Sequence, residues 1–309
     1  MSGRKEMEQR FIERLAQIVG KENIRLEEPM AKHTTFQIGG PAQVFVTPGT
    51  IEQIGQIVMI CNADKIPFFV LGNGSNLLVS DRGMDGVVIQ LYQNFSACSV
   101  EGNLVRAEAG TMLVTIGNMA ADAQLTGFEF ASGIPGTLGG AVMMNAGAYG
   151  GEMSDIVKTV RLMDEAGHVF EKSGEEMEFG YRKSIVEREH YIVLDAVLEL
   201  APGQKEVIRA RMKELSEARR EKQPLEYPSA GSTFKRPEGY FAGKLIMDAN
   251  LRGYQVGGAQ ISEKHCGFVV NRGGATADDV LCLIRDVQDR VEEMFQVRLE
   301  PEVKLVGRQ

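Results

Sequence analysis

The sequence predicts an α+β fold, in which a large domain of mixed strands is followed by a smaller α/β domain. The 309 residues are about twice the usual length of a single domain. Strand patterns dominate residues 33–200, and the composition changes near residue 200. We therefore divide the chain into an N-terminal helix and lead-in (1–32), a large domain (33–200) and a C-terminal domain (201–309).

The N-terminal part of the chain alternates helix and strand patterns. Apolar residues at helical spacing predict an amphipathic helix over residues 5–19. The stretch "FQIGGPAQVFVTP" predicts a strand with a glycine break, and Thr50 followed by Gln53 predicts a capping box at the start of a helix. A strand, "PFFVLG", comes next, so this region forms a β-α-β unit.

The middle of the chain is predicted to be mostly strands. "GVVIQLY" is one strand, while "CSVEGNLVRAEAG" and "IVKTVRLMDEAGHVFE" each predict a hairpin. Between the hairpins, "TMLVTIGNMAADAQL" predicts a helix. The last strand, "YIVLDAVLEL", places Ile192, Leu194, Ala196 and Leu198 on one face, which predicts that this face is buried.

The C-terminal domain begins with a charged helix, predicted over Gln204–Gln223 and ended by Pro224. An irregular segment follows, and then a helix around "FAGKLIMDAN" and a strand, "CGFVVN". A second helix begins after Thr276, because apolar residues recur at helical spacing from that point. "VRLEPEVKLVG" predicts the final strand.

Charge and cysteine content exclude several classes of protein. The net charge is −8 with both signs interspersed, which argues against binding of nucleic acid or of an anionic membrane. The four cysteines lack metal-binding spacing and indicate reduced thiols, so we expect no metal site. There is no signal peptide and no long apolar stretch, which predicts a cytoplasmic protein. The oligomeric state is left open, with a monomer compatible with the sequence.

Two glycine-dense loops are the main candidates for a ligand site. Gly72 to Asn76 follows a buried strand, and Gly133 to Gly151 contains seven glycines. Neither loop matches the dinucleotide GxGxxG pattern, and the chain has no Walker A motif. Successive backbone amides in such loops form anion-binding nests, but glycines also serve tight turns and close packing. The pattern therefore leaves an anionic nucleotide and simple packing as alternatives.

Five motifs in order along the chain suggest a family. They are "LGNGSNLLVSD", "SGIPGTLGGAVMMNAGAYGGE", "FGYRKS", "PSAGSTFKRP" and "EPEVKLVG". In this order they resemble the UDP-N-acetylenolpyruvoylglucosamine reductases, flavoenzymes of peptidoglycan synthesis. The resemblance spans residues 33–307, and the last three motifs distinguish this family from other flavin-binding proteins.

The resemblance implies a fold, a cofactor and a reaction. Residues 33–200 would form an FAD-binding domain of the vanillyl-alcohol-oxidase (PCMH) type, with two subdomains divided near residue 95, and residues 201–309 would bind the substrate. FAD would be noncovalent, with NADPH as co-substrate. The family reduces UDP-N-acetyl-3-O-(1-carboxyvinyl)-glucosamine to UDP-N-acetylmuramate. Hydride passes from flavin N5 to the enolpyruvyl methylene carbon, and a proton goes to the adjacent carbon.

The resemblance also implies which residues form the site. Ser232 matches the proton donor, Arg182 the arginine that holds the substrate carboxylate, and Glu302 the carboxyl group that stabilises the intermediate. Candidates for other substrate contacts are Tyr149, Lys222, Arg236 and Lys304. The residues expected to bind FAD are Gly72, Asn73, Gly74, Ser75, Asn76, Ser132, Gly133, Ile134, Pro135, Gly136, Thr137, Gly139, Gly140, Asn145, Ala146 and Gly147.

The interval between Arg182 and Ser232 indicates a subclass. It is too short for the extra tyrosine-bearing loop found in one branch of the family, so the chain resembles the shorter, second class. Two alternatives stay open: another FAD oxidoreductase of the same fold that acts on an alcohol or sugar, and a catalytically inactive nucleotide-binding protein. Taken singly, Arg182, Ser232 and Glu302 would each be an ordinary surface residue.

Overall fold

The computed structural model describes residues 2–308, and the side chains of residues 9–308. Its α-helices are α1 (Ser2–Val19), α2 (Ile51–Ala63), α3 (Leu113–Asp122), α4 (Leu138–Met143), α5 (Ile185–Arg188), α6 (Lys205–Lys222), α7 (Ala242–Asp248) and α8 (Ala277–Phe295). Short 3₁₀ helices are formed by Lys21–Asn23, Met30–His33, Met153–Asp155 and Glu175–Met177.

The β-strands are mostly short. They are β1 (Ile24–Pro29), β2 (Pro41–Val46), β3 (Phe68–Leu71), β4 (Leu77–Val79), β5 (Met84–Gln90), β6 (Cys98–Glu101), β7 (Leu104–Glu108), β8 (Leu125–Thr126), β9 (Gly147–Ala148), β10 (Gly151–Glu152), β11 (Val157–Met163), β12 (Val169–Ser173), β13 (Ile192–Glu199), β14 (Ala201–Pro202), β15 (Ser229–Ser232), β16 (Gln255–Val256), β17 (Ala259–Ile261), β18 (Phe268–Asn271) and β19 (Lys304–Val306).

The chain forms two compact units that interleave along the sequence. The first contains the N-terminal residues up to Leu26, Val44–Asn73 and Gly86–Ser216. The second contains Glu27–Gln43, Gly74–Asp85 and the chain from Glu217 onward. The sequence had divided the chain into contiguous domains. The early segments belong to the second unit because their apolar side chains are buried in its core; these side chains are Phe36, Ile38 and Leu78.

A five-stranded antiparallel sheet lies in the first unit, in the order β12-β11-β13-β7-β6. Both predicted hairpins are confirmed, as β6–β7 and β11–β12. β13 is the middle strand, and core residues cover it on both faces over residues 192–198, whereas the sequence pattern had predicted burial of one face. Asp195 is tolerated there because Arg106 and Arg161, on the flanking strands, donate hydrogen bonds to its carboxylate at 3.1 and 2.7 Å.

A four-stranded sheet, in the order β1-β2-β5-β3, leads into the first glycine loop. The predicted β-α-β unit is β2-α2-β3, with β5 between the two strands and parallel to β3. α2 begins at the predicted cap, because the Thr50 hydroxyl accepts a hydrogen bond from the Gln53 amide at 3.2 Å. The predicted capping box is not completed, since the Gln53 side chain accepts from the Gly49 amide at 2.7 Å and not from the Thr50 amide. β3 ends at Leu71, so the glycine loop starts at the carboxyl end of a strand.

The second unit contains an antiparallel sheet, the helices α7 and α8, and the parallel pair of β4 and β19. The sheet has the order β15-β18-β17-β16. α8 is confirmed with its capping box, because the Thr276 hydroxyl accepts from the Asp279 amide and the Asp279 carboxylate accepts from the Thr276 amide, both at 3.0 Å. The predicted apolar face of α8 is buried, through Val280, Leu283, Ile284, Val287 and Val291.

The predicted final strand is shorter than the sequence indicated. Of residues 297–307, β19 alone is a strand, and it pairs in parallel with β4. Pro301 has no amide hydrogen to donate to a ladder, and the segment before it forms a single bridge between Phe234 and Pro301. The prediction of a continuous strand is therefore wrong before residue 304.

His265 makes the stability of the second unit depend on pH. Its Nδ1 accepts a hydrogen bond from the Gly267 amide at 3.1 Å, which requires the neutral ring, and the ring packs edge-on against Phe268. Burial lowers the pKa of His265 below 6.5. Below pH 6.5 the unfolded chain therefore binds more protons at this position than the folded chain does.

We expect the free energy of unfolding to fall as the pH is lowered from about 8 to about 5. His265→Gln is expected to reduce this slope, because no group at the position titrates in that range. Urea unfolding at several pH values measures the effect. His190→Gln is the control, since His190 is exposed, and its slope should match that of the wild type. A His265→Gln slope equal to the wild-type slope contradicts the prediction.

Candidate active site

The two glycine loops meet within the first unit. A Cβ atom on Gly72 would overlap the Thr137 hydroxyl, so the backbone of the first loop lies directly against the second loop. Asn73 Nδ2 also donates a hydrogen bond to the Pro135 carbonyl at 2.7 Å. Gly72 is therefore required by contact with the protein itself, which is the packing alternative that the sequence left open.

The first loop continues into the second unit, where it offers free backbone donors. Gly74 has a φ of +61°, and a Cβ there would overlap the His33 carbonyl oxygen. The Thr35 amide donates to the Gly74 carbonyl at 3.2 Å. Within the described residues, the amides of Gly74 and Ser75 donate no hydrogen bond. Two successive amides without a partner in a glycine turn are the donors that an anion-binding nest provides.

The second loop surrounds α4 and uses most of its polar groups internally. Asn145 is fully buried; its Nδ2 donates to the Gly180 carbonyl at 3.2 Å and its Oδ1 accepts from the Ser154 amide at 2.9 Å. The Ser132 hydroxyl donates to the Glu129 carbonyl at 2.8 Å. These contacts shape the loop. Direct binding of FAD by these side chains, and by the other loop residues, stays a prediction.

Some of the second loop remains open to a ligand. A Cβ on Gly140 would meet nothing nearer than the Thr137 hydroxyl at 3.9 Å, and one on Gly150 would meet nothing within 4 Å. Ile134 and Gly136 are half-buried, whereas Ala146 is buried and a Cβ on Gly139 would meet the Ala109 side chain at 2.9 Å, so these last two positions are packed against the protein. Tyr149 is 42% exposed and has a positive φ of 53°, so its ring is available to a substrate or cofactor.

Arg182 lies in a strained turn next to this loop. The Lys183 amide donates to the Gly180 carbonyl at 3.2 Å, and Arg182 has a φ of +56°, a conformation that favours glycine or asparagine. The guanidinium donates to the Gly147 carbonyl at 3.3 Å and stacks 5.0 Å from the Tyr181 ring. The same left-handed conformation occurs at Lys65 and Gln296, so by itself it assigns no role to Arg182.

Ser232 and Glu302 lie on neighbouring segments of the second unit. Ser232 is the exposed last residue of β15 and pairs with Phe268 of β18. The Glu302 amide donates to the carbonyl of Thr233, the next residue after Ser232, at 2.8 Å. The structure thus brings these two predicted residues together, whereas Arg182 belongs to the first unit.

The predicted substrate cations of the second unit differ in their surroundings. Lys304 begins β19, and its amide donates to the Asn76 carbonyl at 3.0 Å. The Arg236 guanidinium stacks 4.0 Å from the Phe241 ring, and its Nε donates to the Tyr240 carbonyl at 3.3 Å. Lys222 is the exposed last residue of α6. Their substrate contacts stay predictions.

Three of the four cysteines are poor nucleophiles and poor metal ligands. Burial raises the pKa of the Cys61 thiol to about 12 and that of Cys98 to about 11, and it also raises the pKa of Cys266. All four cysteines are free thiols. Nowhere in the described chain do three His, Cys, Asp or Glu side chains group as a metal site. No described helix is long and apolar enough to cross a bilayer.

The sequence pattern missed one residue that builds this site, Thr233, and one contact of a predicted residue, Asn76. Thr233 is 3% exposed and ties the Ser232 segment to the Glu302 segment. Asn76 was predicted as a flavin ligand, but its Nδ2 donates to the Glu302 carbonyl at 3.1 Å. Both contacts join residues far apart in sequence. For this reason, the sequence around Thr233 and the sequence around Asn76 carry no local pattern that predicts these contacts.

Two matches to known protein families identify the class of protein. Residues 42–173 match a family model described as an FAD binding domain. With the glycine loops, this match makes the protein an FAD-dependent oxidoreductase. Residues 223–306 match the model of the UDP-N-acetylenolpyruvoylglucosamine reductase C-terminal domain. The chain belongs to the UDP-N-acetylenolpyruvoylglucosamine reductase family, as the resemblance implied.

Individual relatives agree with this family. The chain is 53% identical to UDP-N-acetylenolpyruvoylglucosamine reductase of Lachnoclostridium phytofermentans, over 96% of this chain and 97% of the relative. It is 53% identical to the protein of that name from Clostridioides difficile, over 95% of this chain and 96% of the relative. These matches extend over both the FAD-binding and the C-terminal parts of the chain.

Solved structures confirm the fold. UDP-N-acetylenolpyruvylglucosamine reductase from Thermus caldophilus superposes with a TM-score of 0.79 and 41% identity, covering 91% of this chain and 99% of that chain. A 4-ethylphenol oxidase from Gulosibacter chungangensis has a TM-score of 0.50 and 18% identity, covering 64% of this chain and 43% of that chain. The oxidase shares the fold alone. The predicted fold class and the FAD cofactor are therefore confirmed.

The strain at Arg182 leads to a stability prediction. Asparagine tolerates a positive φ better than arginine does, so Arg182→Asn should leave the free energy of unfolding unchanged or raise it by up to ~1 kcal/mol. Urea unfolding measures this change. Lys183→Asn is the control, because Lys183 does not have a positive φ. Its substitution should therefore not raise the free energy of unfolding. A loss of more than ~1 kcal/mol in Arg182→Asn would show that the guanidinium contacts outweigh the strain.

Proposed function

We propose that the protein uses NADPH to reduce UDP-N-acetylenolpyruvoylglucosamine to UDP-N-acetylmuramate, a step of peptidoglycan synthesis. The observation that carries the proposal is the placement of Ser232 beside the Glu302 segment through the Thr233 carbonyl. Family membership supplies the substrate, because the relatives carry its name. A proton donor and a carboxyl group on adjacent segments suit an addition of hydride and proton to a double bond.

The glycine loops would hold the cofactor. The free amides of Gly74 and Ser75 would bind its pyrophosphate, and the open backbone at Gly140 would let the cofactor approach closely. When bound, FAD supplies a two-electron carrier that is reduced by NADPH and returns a hydride to the enolpyruvyl methylene carbon. Binding would be noncovalent, so denaturation without proteolysis should release the flavin.

Ser232 would supply the proton. Addition of hydride at the methylene carbon leaves negative charge on the adjacent carbon and its carboxylate. The Ser232 side chain is exposed, and its hydroxyl has no hydrogen-bond partner among the described residues. A hydroxyl is a weak acid, but a carbanion-like carbon is a strong enough base to take its proton.

Arg182 and Glu302 would control the charge that develops on the substrate. A guanidinium is always charged and makes two parallel hydrogen bonds to a carboxylate, so Arg182 would hold the enolpyruvyl carboxylate. Glu302 would stabilise the intermediate, either protonated or by sharing the arginine. Lys222, Arg236 and Lys304 would then bind the diphosphate of the UDP-sugar.

Ser232→Ala tests the assignment by separating the two halves of the reaction. In anaerobic stopped-flow experiments, we expect bleaching of flavin absorbance by NADPH at the wild-type rate. Reoxidation by the enolpyruvyl UDP-sugar should slow by about 10²- to 10⁴-fold, because the general acid is lost. Ser229→Ala, on the same strand, is the matched control and should reoxidise normally.

Two results would reject the proposed function, and a third would reject only the role of Ser232. A wild-type flavin that NADPH bleaches but the UDP-sugar does not reoxidise would leave a flavoprotein with another substrate, such as an alcohol or sugar. Normal turnover in Ser232→Ala would remove the serine from the mechanism. Binding of nucleotides without any turnover would instead indicate a catalytically inactive protein.

A further inference from the structure

The main chain of Glu302 is held from two sides. On one side its amide donates to the Thr233 carbonyl at 2.8 Å. On the other side its carbonyl accepts a hydrogen bond from Asn76 Nδ2 at 3.1 Å. These two bonds fix the peptide planes before and after the Cα atom of Glu302. The direction of its Cα–Cβ bond is therefore fixed too.

The Thr233 side of this arrangement is anchored in the sheet. The Thr233 amide donates to the Gly267 carbonyl at 2.8 Å, and the Thr233 hydroxyl accepts from the Val269 amide at 3.0 Å. Thr233 is 3% exposed, so these bonds are shielded from water. These bonds therefore fix the main-chain position of Glu302 relative to β15, the strand that ends at Ser232.

The Asn76 side is anchored in the glycine loop. The Asn76 carbonyl accepts from the Lys304 amide at 3.0 Å, which continues into the parallel pairing of β4 with β19. Asn76 is the last residue of the loop that begins at Gly72. Its carboxamide therefore connects the proposed cofactor loop to the segment of the proposed catalytic carboxyl group.

We propose that Asn76 is a positioning residue for Glu302, and that its carboxamide sets the carboxyl group for the substrate half of the reaction. This inference rests on the proposed function, because it needs Glu302 to act on the substrate. It departs from the interpretation of Asn76 as a flavin ligand. A positioning residue affects the step in which Glu302 takes part, whereas a flavin ligand affects the affinity for FAD and both half-reactions.

A double-mutant cycle on the FAD-loaded enzyme separates these roles. We expect Asn76→Ala to slow reoxidation by the enolpyruvyl UDP-sugar roughly 10- to 100-fold, because the carboxyl group is misplaced. The rate of flavin reduction by NADPH and the Kd for FAD should stay within about twofold of the wild type. In a Glu302→Gln background, the same substitution should change reoxidation by less than about twofold, because the two residues act as one unit.

Asn73→Ala is the matched control for the cycle. Asn73 lies in the same loop and makes the same kind of side-chain-to-carbonyl bond, but to Pro135. Whatever effect it has on reoxidation should be equal in the wild-type and Glu302→Gln backgrounds. If Asn76→Ala does not yield folded protein, Asn76→Ser removes the carboxamide with a smaller change in polarity and takes its place in the cycle.

The outcomes distinguish this inference from the proposed function. An Asn76→Ala effect of equal size in both backgrounds overturns the positioning role, as does a rise in the Kd for FAD that accounts for the slower reoxidation. If the wild-type enzyme is reoxidised by the UDP-sugar and Asn76→Ala is reoxidised at the same rate, the positioning role is overturned and the proposed function is left intact. A wild-type enzyme that the UDP-sugar cannot reoxidise contradicts the proposed function itself.

Discussion

The parallel pairing of β4 with β19 is the contact on which the second unit depends. It brings Asn76 and Glu302 together although they are 226 positions apart in sequence. Closing so long a loop costs conformational entropy, and the surrounding bonds must offset it. The Ser80 amide donates to the Val306 carbonyl at 2.9 Å, and Arg308 Nε donates to the Asp85 carboxylate at 2.7 Å. With this pairing in place, the Glu302 segment lies beside Thr233.

Local signals account for the parts of the fold that the sequence predicted well. The Thr50 and Thr276 caps, both hairpins and the apolar face of α8 depend on residues a few positions apart. Non-local pairing accounts for the errors. Burial of both faces of β13 depends on core residues from distant parts of the chain, and the late start of the final strand, at Lys304, follows Pro301. Neither the interleaving of the units nor the neighbours of Asn76 appear in any local window.

The glycine loops show which properties of a site a sequence motif can predict. The sequence left packing and anion binding as alternatives; the structure shows packing at Gly72, and anion binding by the rest of the loop is our proposal. Gly72 is needed because Thr137 lies against it, whereas the amides of Gly74 and Ser75 are free to bind an anion. The site residues themselves came from the order of five motifs. No periodicity or spacing distinguishes Arg182, Ser232 or Glu302 from surface residues, because their roles arise from long-range contacts.

The interleaved chain has a consequence for the synthesis of the protein on the ribosome. The first unit has all its segments once Ser216 has emerged, but the second also needs β19, close to the C-terminus. Three side chains of the second unit's core emerge early, but most of the residues that they pack with emerge late; these side chains are Phe36, Ile38 and Leu78. At 5–20 residues per second, Leu78 waits roughly 10–45 s for β19. During this interval the nascent chain exposes apolar surface that a chaperone at the exit tunnel can cover.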